Sequence, residues 1–82
     1  MLLSDAVKSR ITELMKNNNI KNIHELALLA GVPYATINDF FRGRTDLLKL
    51  DKLVFICEAF HIELTDFFDS SYFKEVECIE ND

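Results

Sequence analysis

Residues 22–43, NIHELALLAGVPYATINDFFRG, constrain the fold more strongly than any other part of the chain. Asn22 is a favourable helix N-cap, and Glu25 follows three residues later, which is the pattern of a capping box. Gly31 is predicted to end this helix, because the residue just past a helix end often needs a positive φ that glycine adopts easily. Pro33 then suits the first turn of a new helix, where no N–H partner is needed. The stretch therefore predicts a helix-turn-helix.

Apolar residues recur at helical spacing in both of these helices. They are Leu26, Leu29 and Ala30 in the first helix, and Tyr34, Ile37, Phe40 and Phe41 in the second. A small residue, Ala27, lies four positions before Gly31, and the β-branched Ile37 lies six positions after it. Where two helices cross steeply, a small residue lets them approach closely and a β-branched residue fills the angle. The spacing therefore predicts a tight corner.

With these residues the sequence resembles the Cro and phage-repressor type of helix-turn-helix, also called the XRE family. The resemblance runs from Leu3 to about Phe68 and includes GVPYATINDFFRGR and LDKLVFICEAFHIELTDFF. It implies an all-α fold, a compact five-helix bundle of the lambda-repressor-like type with the helix-turn-helix in helices 2 and 3. We expect a DNA-binding domain over residues 1–69 and, over residues 70–82, a short acidic C-terminal extension that is a candidate dimerisation arm.

The flanking segments supply the other three helices. Ser4 and Asp5 are predicted to cap the first helix, and three asparagines, 17–19, to end it. Its apolar stripe is predicted to be Ala6, Val7, Ile11, Leu14 and Met15. A polar loop over about 43–49 precedes a fourth helix, about Leu50 to Phe60, predicted to bury Leu50, Leu53, Val54, Ile56, Cys57 and Phe60. A short fifth helix within 62–69 is predicted to place Leu64, Phe67 and Phe68 on the core.

Phe55 is unusual, because the resemblance implies an exposed and usually charged residue at this position. With Val54 and Ile56 beside it, the fourth helix is apolar nearly all round, which predicts a second covered face. The cover is either a partner subunit or the chain's own tail, with Tyr72, Phe73 and Val76 as the packing residues. The sequence leaves both possibilities open.

Charge is distributed unevenly along the 82 residues, which carry a net charge of −5. Residues 1–52 have eight Lys or Arg against six Asp or Glu, a net charge of +2. Residues 53–82 have one Lys against eight acidic residues, a net charge of −7. Non-specific DNA affinity scales with the phosphates that Lys and Arg neutralise. The mildly basic helix-turn-helix half therefore predicts weak non-specific binding and leaves specific binding open.

Several functional classes are disfavoured by the sequence. No apolar run approaches the ~20 residues that span a membrane, and the N-terminus has no signal-peptide pattern, so we expect a cytoplasmic protein. His24, His61, Cys57 and Cys78 lack metal-ligand spacing, and no phosphate loop or nucleophile elbow is recognisable. We therefore expect no enzymatic activity, no cofactor and no metal site, and no small-molecule ligand is evident.

The second helix of the motif is the candidate recognition helix, and in such motifs its N-terminal residues enter the major groove. The base-facing positions implied by the resemblance are Tyr34, Ala35, Thr36, Asn38 and Asp39. Asn38 can pair with adenine N6 and N7, and Ala35 can contact a thymine methyl group. Asp39 can accept from cytosine N4 or else repel the DNA backbone, and Tyr34 is either a reader or a packing residue.

Candidate phosphate contacts lie on both sides of this helix, and the alternative for each is ordinary surface charge. They are Lys21, Asn22, Arg42, Arg44, Thr45, Lys49 and Lys52. The family often has Gln as the first residue of the scanning helix, where it binds a phosphate, but here that residue is Ile23. The Asn22 side chain and the free N–H groups of the helix would have to supply that contact.

Two functions follow from these features. The first is a sequence-specific transcriptional regulator, a repressor, which reads the major groove of a double-stranded DNA operator with the helix at about 33–42 and binds as a homodimer. The alternative is a protein-interaction module on the same fold, such as an antitoxin or a regulator of another factor, with weak or no DNA binding. The acidic C-terminal half and Ile23 favour this alternative slightly.

Overall fold

The computed structural model describes residues 1–77, and within them it contains five α-helices and no β-strand longer than an isolated bridge. The helices are α1 (Leu3–Asn17), α2 (Ile23–Ala30), α3 (Tyr34–Phe41), α4 (Leu50–Ala59) and α5 (Leu64–Phe68), and a short 3₁₀ helix follows at Ser71–Phe73. The predicted all-α, five-helix architecture is therefore confirmed. The predicted C-terminal extension is described only as far as Glu77, and Cys78 lies outside the described residues.

One apolar core joins the helices. α2 packs on both α4 and α3, and α4 also packs on α5. The largest fully buried side chains are Phe40, Phe67, Ile11, Leu26, Ile37, Ile56 and Cys57. The predicted stripe of α1 is also confirmed, with Ala6, Val7, Ile11 and Leu14 buried and Met15 packed at the edge. No polar or charged residue is buried within residues 1–77.

The capping of α1 and α2 differs from the prediction. α1 begins at Leu3 without a side-chain cap, so the predicted cap by Ser4 and Asp5 is wrong. The tail replaces it, because the Leu3 N–H donates to the Glu77 carbonyl at 2.9 Å. At α2 only half of the capping box forms. Asn22 Oδ1 accepts from the Glu25 N–H at 2.9 Å, whereas the Glu25 carboxylate lies 3.5 Å from the Lys21 N–H.

α4 leaves more apolar surface exposed than its sequence predicts. Leu50 is 63% exposed and Val54 is 38% exposed, so the prediction that both are buried is wrong. Phe55, also on this helix, is 41% exposed, and the Lys52 ammonium lies 5.8 Å from its ring centroid. The reason is that α2 and the five-residue α5 cover only one stripe of α4.

The tail packs on its own chain. The Phe73 ring lies 4.9 Å from the Phe68 ring and 5.8 Å from the Phe67 ring, measured between centroids. Glu77 forms an isolated parallel β-bridge with Leu2. Of the two covers that the sequence left open, the described part of the tail therefore packs on α5 and the start of α1, while Phe55 stays exposed. Phe67 is buried as predicted, but Phe68 is 37% exposed, so its predicted placement on the core is wrong.

Arg10 ties α1 to the end of α5. Its Nε donates to the Phe67 carbonyl at 2.8 Å, and its Nη2 donates to the Asp66 carbonyl at 2.8 Å. Its Nη1 also pairs with Glu13 at 2.6 Å. Carbonyls in the last turn of a helix have no partner within the helix. Arg10 donates to two of them, of which the Asp66 carbonyl also accepts from the Asp69 N–H. The Glu13 carboxylate offsets the charge of Arg10.

Candidate nucleic-acid interface

The turn between α2 and α3 has the predicted geometry. Gly31 has φ +68° and ψ +29°, which is the left-handed conformation, and its N–H donates to the Ala27 carbonyl at 2.9 Å. Ala27 and Ile37 are both buried in the corner between the two helices. The apolar side of α3 packs in this corner, so the opposite side of α3 faces solvent.

The five predicted base-facing residues lie on α3 with different exposures. Tyr34 and Ala35 are exposed, whereas Thr36, Asn38 and Asp39 are half-buried. The structure joins Tyr34 and Asn38 to Arg42, which was predicted as a phosphate contact. The Tyr34 hydroxyl donates to Asn38 Oδ1 at 3.3 Å, and Arg42 Nε donates to the same oxygen at 3.4 Å. The spacing of four residues puts all three side chains on one stripe of the helix.

His24 joins this stripe, although it was not among the site residues predicted from the sequence. Its imidazole stacks on the Tyr34 ring with the centroids 3.8 Å apart and the planes 5° apart. His24 lies in the first turn of α2 and Tyr34 begins α3, so the stack joins the starts of the two helices. No local sequence pattern predicts this stack, because the two residues are ten positions apart. Only the angle between α2 and α3 at Gly31 brings their rings together.

Arg44 and Asp39 form an exposed ion pair beside the stripe. Arg44 Nη1 lies 3.3 Å from Asp39 Oδ1, and the two side chains are 66% and 37% exposed. Exposed pairs of this kind contribute about 0–1 kcal/mol, so Arg44 can exchange Asp39 for a phosphate at little cost. The pair also offsets part of the negative charge of Asp39.

Predicted base and phosphate contacts meet in a shallow depression beside α3. Its volume is about 320 Å³, and it is lined by Ala35, Thr36, Asp39, Thr45, Leu47, Leu48, Lys49 and Lys52. Two further predicted phosphate contacts, Lys21 and Asn22, line a second depression with His24 and Tyr34. Because Asn22 Oδ1 is occupied as the α2 cap, its amide NH₂ is the group left to donate to a phosphate.

Cys57 has the properties of a core residue. Burial raises the pKa of its thiol to about 11, with Arg10 acting to lower the pKa and Asp66 to raise it. The group is therefore a protonated thiol at neutral pH, and a thiol is neither the nucleophile nor the metal ligand that a thiolate is.

Within residues 1–77, no group of three or more His, Cys, Asp or Glu side chains could hold a metal ion. No helix in the same range is long and apolar enough to cross a membrane.

Comparison with known proteins agrees with this geometry. A family model described as a Cro/C1-type helix-turn-helix DNA-binding domain matches residues 10–71. The crystal structure of the prophage Lp1 protein 11 is similar to this chain, with a TM-score of 0.79 and 30% sequence identity. The similarity covers 93% of this chain and 100% of that chain. No curated protein sequence matches the chain.

Proposed function

Because the chain belongs to the Cro/C1-type helix-turn-helix DNA-binding domain family, as its sequence predicted, we propose that it is a transcriptional repressor that reads a double-stranded operator with α3. The observation that carries the proposal is the stripe of Tyr34, Asn38 and Arg42, which lies at the surface while Ile37 and Phe40 of the same helix are fully buried. Tyrosine, asparagine and arginine side chains supply the hydrogen bonds with which proteins contact bases and phosphates in DNA.

In this proposal the two kinds of contact come from different parts of the surface. Tyr34, Ala35 and Asn38 face base edges, with Thr36 and Asp39 at the margin. Phosphates on one side of α3 bind Lys21 and Asn22. Those on the other side bind Arg42, Arg44, Thr45, Lys49 and Lys52. The phosphate contacts position the domain, and the base contacts specify the sequence.

The test is selection of duplexes that bind the full chain from a random DNA pool, followed by titration of the enriched duplex and a scrambled duplex at several salt concentrations. We expect an enriched sequence with two-fold symmetry and an affinity that falls steeply with added salt. A pool without enrichment would instead favour the protein-interaction module, an antitoxin or a regulator of another factor. The exposure of two adjacent leucines in α2, Leu28 (84%) and Leu29 (58%), favours that second candidate, and it also corrects the predicted placement of Leu29 on the buried side.

The homodimer is proposed to form through the exposed apolar side of α4, at Leu50, Val54 and Phe55. A single domain of this size contacts too few base pairs to select one site in a genome, which is why a dimer is proposed. The packing of the C-terminal extension favours α4 as the dimer contact. Phe73 of the extension is already packed on Phe67 and Phe68 of its own chain.

Phe55→Asp should therefore weaken self-association by at least about tenfold, because the substitution places a charge in the proposed apolar contact. Sedimentation equilibrium of the variant and the parent chain measures this change, and a chain ending at Asp69 tests the tail separately. Circular dichroism of each protein verifies folding. A parent chain that is monomeric at high micromolar concentration without DNA would overturn the proposed dimer, and dimer loss only on truncation would reassign it to the tail.

Arg44→Ala should weaken binding by about the same factor on the enriched and the scrambled duplex. It should also reduce the slope of log affinity against log salt by roughly one, because one phosphate contact is lost. Titrations at several salt concentrations measure both effects. Lys74→Ala, which removes a positive charge from the tail, is the control and should leave the slope unchanged. An unaltered slope in Arg44→Ala would show that Arg44 is ordinary surface charge.

A further inference from the structure

A continuous row of contacts runs from the start of α2 along the exposed stripe of α3. His24 stacks on Tyr34, and the Tyr34 hydroxyl donates to Asn38 Oδ1 at 3.3 Å. From the other side, Arg42 Nε donates to the same oxygen at 3.4 Å. Every link joins side chains that lie at or near the protein surface, and three of them are among the residues proposed to contact DNA.

The row determines which group of the Asn38 amide is available to DNA. A carbonyl oxygen has two lone pairs, and here Tyr34 and Arg42 donate to it at the same time. The amide NH₂ group has no protein acceptor among the hydrogen bonds of the described residues. The Asn38 amide therefore has two hydrogen-bond donors left to use, while its acceptor is already occupied.

The presence of free donors without a free acceptor matters, because the bases carry different donors and acceptors on their major-groove edges. Guanine offers two acceptors, N7 and O6, whereas adenine offers one acceptor, N7, and one donor, N6. Bidentate pairing with adenine needs a free amide oxygen to accept from N6. An asparagine whose oxygen is occupied therefore matches guanine better than adenine.

We propose that His24 and Tyr34 set the base preference of α3 by holding the Asn38 amide with its NH₂ group toward DNA, so that this position reads guanine rather than adenine. The inference rests on the proposed function, since it requires sequence-specific binding. It replaces the adenine pairing that the sequence alone suggested for Asn38.

His24 acts in this proposal as a positioning residue. Its ring lies parallel to the Tyr34 ring, within 5°, so the stack restricts rotation of the tyrosine and directs its hydroxyl along the helix toward Asn38. A phenyl ring can make the same stack, whereas alanine cannot. Base preference should consequently depend on an aromatic residue at position 24 and on a hydroxyl at position 34.

The experiment uses the duplex that the full wild-type chain enriches from a random pool. The base pair read by Asn38 is the one at which Asn38→Ala loses its preference, and affinities are then measured for all four base pairs at that position. The wild-type chain should prefer guanine. Tyr34→Phe keeps the stack but frees one lone pair of the Asn38 oxygen, so the ratio of guanine to adenine affinity should fall by about three- to tenfold.

His24→Ala should lower the same ratio in the same direction, and His24→Phe should preserve it. Tyr72→Phe removes the hydroxyl of the other tyrosine, in the tail, and should change nothing. A His24→Ala chain that binds all four duplexes equally more weakly would overturn the positioning role. Circular dichroism verifies folding. If the alanine variant unfolds, the His24→Phe variant tests the positioning role of residue 24.

The outcomes separate this inference from the function on which it rests. If the wild-type chain enriches a sequence but prefers adenine at the Asn38 position, the inference is wrong and the proposed function stands. The same conclusion follows if Tyr34→Phe leaves the guanine-to-adenine ratio unchanged. If the wild-type chain enriches no sequence, the proposed function fails and the inference fails with it.

Discussion

Replacing Leu26 with alanine is expected to lower the free energy of unfolding by about 2–5 kcal/mol. Leu26 is 0% exposed and lies on α2, which packs on both α3 and α4. Removal of its branched side chain leaves a cavity that the surrounding helices can only partly fill. A domain of 82 residues has a total stability of roughly 4–12 kcal/mol, so this substitution removes a large share of it.

Leu28→Ala is the matched control, because it makes the same chemical change two positions along the same helix. Leu28 is 84% exposed, so its replacement should alter the free energy of unfolding by less than about 0.5 kcal/mol. Urea denaturation followed by circular dichroism measures both variants and the parent. Equal losses in the two variants would show that α2 does not face the core as described.

The leucines of α2 show which features could be predicted from the sequence and which could not. Gly31, Ala27 and Ile37 could be placed from the sequence because each meets a local requirement, a positive φ or a fit at the helix crossing. The buried stripe of α2 could not be placed as well. In a helix of eight residues with adjacent leucines, the packing of α4 decides that Leu26 is buried and Leu29 is exposed.

Contacts between distant segments explain the other differences. The Leu3 N–H is satisfied by the Glu77 carbonyl, so α1 needs no side-chain cap, and nothing near Ser4 in the sequence signals this. The His24–Tyr34 stack has the same character, because it depends on the angle between α2 and α3. The family resemblance implied that Tyr34 and Asn38 both face DNA, but it could not show that Asn38 Oδ1 accepts from Tyr34 and Arg42 together.

Asn38→Ala is expected to weaken binding to the enriched duplex by about 1–3 kcal/mol and to remove the preference at one base pair. The effect should lie toward the upper end of this range. The substitution removes the amide donors and also the oxygen to which the Tyr34 hydroxyl donates, so Tyr34 loses its alignment as well. Competition titrations with the four possible base pairs at each operator position measure both the loss and its location.

The pattern across duplexes distinguishes this effect from the loss of a phosphate contact. Asparagine is neutral, so Asn38→Ala should leave the salt slope and the affinity for a scrambled duplex nearly unchanged, whereas Arg44→Ala should lower both. An Asn38→Ala chain that keeps its affinity and its preference at every position would show that Asn38 reads no base. A loss of equal size on every duplex would instead indicate that Asn38 positions Arg42 and does not read a base. Only a base contact can depend on the identity of a single base pair.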